Sequence, residues 1–94
     1  MPYAICELKI KTDYTDSLKS KRSIKSQLLT RLKKYNLSVI EAGLHDVHSR
    51  IHLQMTMVRS TESLLNQDLE NIRKLIESEF PDLELYEFDK EIYI

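Results

Sequence analysis

The sequence predicts one α+β domain over residues 1–94, and three observations support this. A chain of 94 residues is long enough for one hydrophobic core and too short for two. Apolar residues alternate with period two in some segments and recur at helical spacing in others. A single Cys and a single Gly exclude a disulfide scaffold and a low-complexity chain, and favour a reducing compartment.

The chain opens with a predicted strand and turn. From Tyr3 to Lys11 apolar and polar residues alternate, which indicates a half-buried strand. Residues 12–16 are polar, and Asp16 or Ser17 is suited to begin a helix. The first twenty-five residues contain no uninterrupted apolar run, so we expect neither a signal peptide nor a membrane span.

The next predicted elements are a helix and two strands. Leucines and Ile24 recur at helical spacing from Leu18 to about Tyr35, and Asn36 is a plausible end for this helix. A short strand follows over residues 37–42. Residues 50–58 alternate again, and we expect this strand to be antiparallel to its neighbours.

The last predicted elements are a second helix and a long strand. Ser60 or Thr61 begins the helix, whose apolar residues recur until Pro81 ends it. The strand covers residues 83–94, and its apolar residues change parity, so we expect a bulge within it. The order β-α-β-β-α-β predicts a ferredoxin-like split βαβ sandwich, with both helices on one face of a four-stranded antiparallel sheet.

The charges are segregated along the chain, although the formal net charge is only −1. Residues 17–36 carry seven basic residues and no acid, whereas residues 62–91 carry ten acids. A binding partner responds to the local electrostatic field, so a net charge near zero does not exclude an anionic partner.

Basic residues at the start of the first helix are its most unusual feature, because the helix dipole favours acids there. They form a candidate site for an anion or for RNA phosphates: Lys19, Lys21, Arg22 and Lys25. On a helical projection Lys21 and Lys25 fall within the buried arc. They therefore have a second interpretation, in which their side chains extend past the sheet edge or pair with the acidic second helix.

This stretch resembles the YlxP-like bacterial family. The matching segments are residues 17–22 (SLKSKR), 25–32 (KSQLLTRL) and 36–41 (NLSVIE). The resemblance implies a small cytoplasmic ferredoxin-like domain and no particular activity. Genes of the family often lie beside those for translation initiation and ribosome maturation. His48 and Gln54 stand where the family often has an aromatic residue and glycine.

Other candidate residues indicate weaker alternatives. Arg31, Glu41, Asp46 and His48 are possible partner or site residues. His45, Asp46 and His48 offer metal ligands, but their spacing matches no zinc signature, and we predict no bound metal or cofactor. No catalytic constellation is recognisable, so we predict that the protein is not an enzyme.

The face of the sheet opposite the helices suggests another function. Its third strand lacks aromatic residues, unlike an RNA-recognition motif. Ile5 and Val58, with Tyr86 and Phe88, could instead form an apolar patch for a homodimer. The sequence thus favours a non-catalytic RNA- or ribosome-associated factor, with a homodimeric interaction module or a metal protein or enzyme as alternatives.

Overall fold

The computed structural model describes residues 1–12, 18–43, 47 and 49–94. The predicted element order β-α-β-β-α-β is confirmed. The possible helix caps Asp16 and Ser17 lie outside the described residues. The elements are β1 (Tyr3–Lys11), α1 (Leu18–Lys33), β2 (Ser38–Gly43), β3 (Arg50–Val58), α2 (Glu62–Glu79) and β4 (Glu84–Tyr93).

The four strands form one antiparallel sheet in the order β2-β3-β1-β4. The alternation in β1 and β3 places their buried side chains on the same face, against the helices. α1 packs on β2, whereas α2 packs on β1 and β4. The predicted ferredoxin-like arrangement is confirmed. Among the described residues no helix covers the other face of the sheet, which we call the open face.

The ends of the helices follow from local chemistry. α1 ends at Lys33, two residues before the predicted limit, and the chain reverses at Asn36, whose φ of 57° is left-handed. Asparagine tolerates this conformation better than most residues. α2 begins after Thr61, whose hydroxyl accepts a hydrogen bond from the Leu64 amide at 3.1 Å. The sequence left Ser60 and Thr61 as equal candidates for this role.

The predicted bulge in β4 is confirmed. Glu87 lies opposite Lys9 and Leu85 opposite Ile10, which leaves Tyr86 as the extra residue. After the bulge, Phe88 lies opposite Leu8 and packs against the core. The expectation that Phe88 belongs to the open face is therefore wrong, because the bulge reverses its parity relative to Glu84.

None of the helices in the described part of the chain is long and apolar enough to cross a membrane.

Candidate nucleic-acid interface

The inner side of α1 carries a buried cluster of charges. Lys21 and Lys25 are one turn apart, and both ammonium groups face Glu41 of β2. Lys21 Nζ lies 3.2 Å from Glu41 Oε2, and Lys25 Nζ lies 2.8 Å from Glu41 Oε1. The Lys21 and Glu41 side chains are 2% and 9% exposed. We call these three residues the buried triad.

The electrostatics of the buried triad favour an ionised Glu41. Burial raises the pKa of this carboxyl, but hydrogen bonds and charge attraction from Lys25 and Lys21 outweigh burial, so its pKa lies below the usual value. An ionised carboxylate with two ammonium neighbours is a poor proton acceptor. The geometry therefore makes Glu41 an ion-pair partner of the two lysines.

The two interpretations of Lys21 and Lys25 can now be compared with their positions. Their bonding partner is Glu41, rather than an acid of α2, because α1 packs over β2 while α2 packs over β1 and β4. Lys21 is turned towards the sheet and is buried. It is placed to hold α1 on β2. Of the other candidate phosphate-binding residues, Lys25 is half-buried, and Lys19 and Arg22 are exposed.

The outer side of α1 is a continuous exposed surface. Positions three, four, seven and eleven apart share a side of a helix. The residues on this side are all exposed, and all are cationic or uncharged and hydrogen-bonding. We call them the basic face: Lys19, Arg22, Ser23, Ser26, Gln27, Thr30, Lys33 and Lys34.

The cations of the basic face are not neutralised by neighbours that the structure describes. The ion pairs among the described residues involve none of Lys19, Arg22, Lys33 and Lys34. Arg31 lies at the edge of this face and pairs with Glu79 of α2. Lys33 and Lys34 were not among the residues predicted to bind phosphates, although helical spacing places them with Lys19 and Arg22.

A groove adjoins the C-terminal end of the basic face. It has a volume of about 730 Å³ and runs between the end of α1 and the neighbouring ends of β2, β3 and β1. Its lining residues are Tyr3, Lys33, Asn36, Leu37, Ser38, Val39, Thr56, Met57 and Val58. Lys33 belongs to both the basic face and the groove. The groove is not predictable from the sequence, because its walls come from four elements that only the fold brings together.

Arg59 fixes the end of α1 beside this groove. Its Nε lies 2.5 Å from Asp68 Oδ2, and its guanidinium donates to the carbonyl oxygens of Tyr35 and Asn36. A cation at this position satisfies carbonyls at the negative end of α1. Arg59 therefore ties α1 to α2 and holds the groove wall in place.

The remaining candidates are the three residues that offer metal ligands and the single cysteine. His45, Asp46 and His48 lie outside the described residues. Cys6 is buried, and burial raises the pKa of its thiol to about 11, with a smaller opposing effect from Lys90. This agrees with an inert core thiol.

Acidic side chains meet on the open face. Carboxylate oxygens of Glu7, Glu87 and Asp89 lie within 4.8 Å of one another. Gln54 donates to Glu7, and Lys9 pairs with Glu87 at 2.9 Å. Glu7 and Glu87 therefore have protein partners, and we assign no ligand to this group.

These features define a small ferredoxin-like protein with one basic helix face. The chain belongs to the family described as "Protein of unknown function (DUF503)", whose model matches residues 3–90. It is also similar to the "Uncharacterized protein YlxP" of Bacillus subtilis (strain 168), with 33% identity over 69 residues that cover 72% of this chain and 74% of that protein. The resemblance to the YlxP-like family is thus confirmed.

Proposed function

We propose that this protein is a non-catalytic factor of the bacterial cytoplasm that binds structured RNA, such as that of the ribosome, through the basic face of α1. The observation that supports this is the composition of the face, which has four exposed cations and no acid. Phosphate contacts are made by lysine, arginine, and hydroxyl and amide side chains. We assign these contacts to Lys19, Arg22, Lys33 and Lys34.

The dimensions of the basic face suit a polymer better than a single anion. Lys19 and Lys33 are 14 positions apart, or about 21 Å along a helix that rises 1.5 Å per residue. Such a strip spans several phosphates of one RNA backbone. In this proposal Lys21 and Lys25 do not contact RNA, and they act by positioning α1.

Binding to RNA across a salt series tests the proposal. We would measure fluorescence anisotropy of a labelled RNA hairpin, and co-sedimentation with bacterial ribosomal subunits. Affinity should fall as salt rises, because phosphate contacts release counterions. The variant Lys19→Glu/Arg22→Glu should bind more weakly, and its log–log salt slope should be smaller by roughly 0.7–0.9 for each phosphate that the variant no longer neutralises.

The control is Lys74→Glu/Lys90→Glu, which makes the same change in net charge at exposed positions of α2 and β4. It should bind RNA nearly as the wild type does. Wild-type protein that fails to bind at low salt would refute the proposal. Equal reductions of affinity in both variants would also refute it, because they would show a general charge effect.

A homodimer formed through the open face is a second candidate function. The observation that favours it is a group of apolar side chains exposed on neighbouring strands. They are Tyr3, Ile5, Ile40, Val58 and Tyr93, each between 41% and 58% exposed. Contiguous apolar surface of this kind often marks a subunit contact.

Sedimentation velocity over a concentration series tests the dimer. Ile5→Asp should shift a dimer to monomer, and Leu64→Asp is a matched control because Leu64 is equally exposed but lies on α2. A wild-type protein that remains monomeric at high concentration would remove this candidate.

A further inference from the structure

We infer that the groove at the end of α1 accepts an unpaired nucleotide of the RNA that the basic face holds. This inference rests on the proposed function and adds what the RNA must contain, namely a single-stranded segment beside the backbone bound by α1. The contacts would be Tyr3 against the base and Lys33 against a phosphate.

The groove has the size and chemistry for a nucleotide. Its volume of about 730 Å³ lies within the range of small-molecule sites. The lining combines a phenol ring, aliphatic side chains and the exposed polar residues Asn36, Ser38 and Thr56, and it contains no acid. An aromatic ring stacks on a base, while amide and hydroxyl groups form hydrogen bonds with its edge.

The Tyr3 ring has one face on Tyr93 and the other face towards the groove. Its ring stacks on Tyr93 of β4, with centroids 5.0 Å apart and planes 17° apart. In the sheet, β4 lies on one side of β1 and β3 lies on the other. The Tyr93 contact and the groove are therefore on opposite sides of Tyr3, and the ring remains 42% exposed. Stacking on Tyr93 orients the ring before any ligand arrives.

Continuity with the basic face favours RNA over a protein partner in this groove. Lys33 is a member of the basic face and also lines the groove. An RNA strand whose phosphates follow α1 to the C-terminal end of this helix would therefore reach the groove. An apolar peptide would gain nothing from this cationic approach.

The test compares two RNAs with the same stem. One is a blunt hairpin, and the other carries a short single-stranded tail that contains 5-iodouridine. Tyr3→Ala should weaken binding of the tailed hairpin by roughly 5-fold or more, and should leave the blunt hairpin unchanged. Tyr86→Ala is the matched control, since Tyr86 is similarly exposed and lies outside the groove. Irradiation of the wild-type complex should cross-link the tail to Tyr3.

The possible results distinguish failure of the nucleotide site from failure of the proposed function. Weakening of both RNAs by Lys19→Glu/Arg22→Glu, with no effect of Tyr3→Ala and no cross-link at Tyr3, would overturn the groove and retain the basic face. Failure of both RNAs to bind would overturn both. A wild-type dimer that protects Tyr3 from cross-linking would overturn the nucleotide site and show that the groove is a subunit contact. The cross-link is measured on wild-type protein, so it decides the question even if Tyr3→Ala fails to fold.

Discussion

Lys21 lies on a helix with its charged side chain buried, which is an uncommon environment for a lysine. Its ammonium is almost fully removed from water, which is costly unless an opposite charge compensates it. Glu41 supplies that charge, but two lysines share it. The Lys25 side chain keeps 22% exposure, so its ammonium also reaches solvent.

The first prediction is that Glu41→Gln destabilises the domain. The substitution preserves side-chain shape and leaves two ammonium groups with no carboxylate between them. Removing one partner of a buried pair typically costs about 3–5 kcal/mol. Urea denaturation should show a decrease of this order in the free energy of unfolding. Glu84→Gln, at an exposed position of β4, is the control and should be nearly neutral.

A companion variant distinguishes charge from packing. Lys21→Met removes the buried ammonium and leaves Glu41 paired with Lys25, so its cost should be clearly smaller than that of Glu41→Gln. Equal costs for the two variants would contradict this account of the buried triad.

The second prediction concerns acid. The pKa of Glu41 is lower in the folded protein than its ordinary value of 4.5, because Lys25 and Lys21 outweigh the effect of burial. A depressed carboxyl pKa stabilises the fold above the unfolded pKa, and this stabilisation disappears as pH falls through the folded pKa. The difference in free energy of unfolding between wild type and Glu41→Gln should therefore be constant at neutral pH and narrow below about pH 4.5. Other carboxyl groups are common to both proteins. A difference that widens with acid would contradict this sign.

At the scale of elements, α1 shows what sequence could and could not predict. Helical spacing placed Lys21 and Lys25 within the buried arc, and the structure confirms that position. The periodicity gives a direction about the helix axis, but it does not say which strand lies beneath. The ion pairs with Glu41 and the groove both depend on the tertiary packing of α1 over β2, which periodicity does not specify. The same limit applies to Phe88, whose orientation follows from the position of the bulge.

The third prediction tests the beginning of α2. The Thr61 hydroxyl accepts a hydrogen bond from the Leu64 amide at 3.1 Å, which satisfies a donor that has no partner within the helix. Thr61→Ala should lower the free energy of unfolding by about 1 kcal/mol. Ser60→Ala, one residue earlier and also exposed, should have a much smaller effect in the same thermal melts. A larger effect of Ser60→Ala would show that the helix begins differently.

At the scale of the whole molecule, the basic and acidic residues that are segregated along the sequence are also separated in space. α1 lies over β2, at one edge of the sheet, while acid-rich α2 and β4 lie towards the other edge. The ferredoxin-like crossover produces this separation, because it places the two helices side by side over different strands. In the proposed function, the basic side attracts the RNA and the acidic side disfavours the opposite orientation.

The fourth prediction follows from this polarity. At about pH 7.5 the chain is above its isoelectric point of about 6.3, so its average charge predicts no retention on an immobilised polyanion. The basic face predicts the contrary, because a polyanion contacts only one side of the molecule and responds to the local field. Wild-type protein should be retained on heparin resin at low salt and released as salt rises. Lys19→Glu/Arg22→Glu should flow through, and Lys74→Glu/Lys90→Glu should be retained despite carrying the same net charge. Elution of the two variants together would show that average charge controls binding, and the spatial polarity would then have no role in recognition.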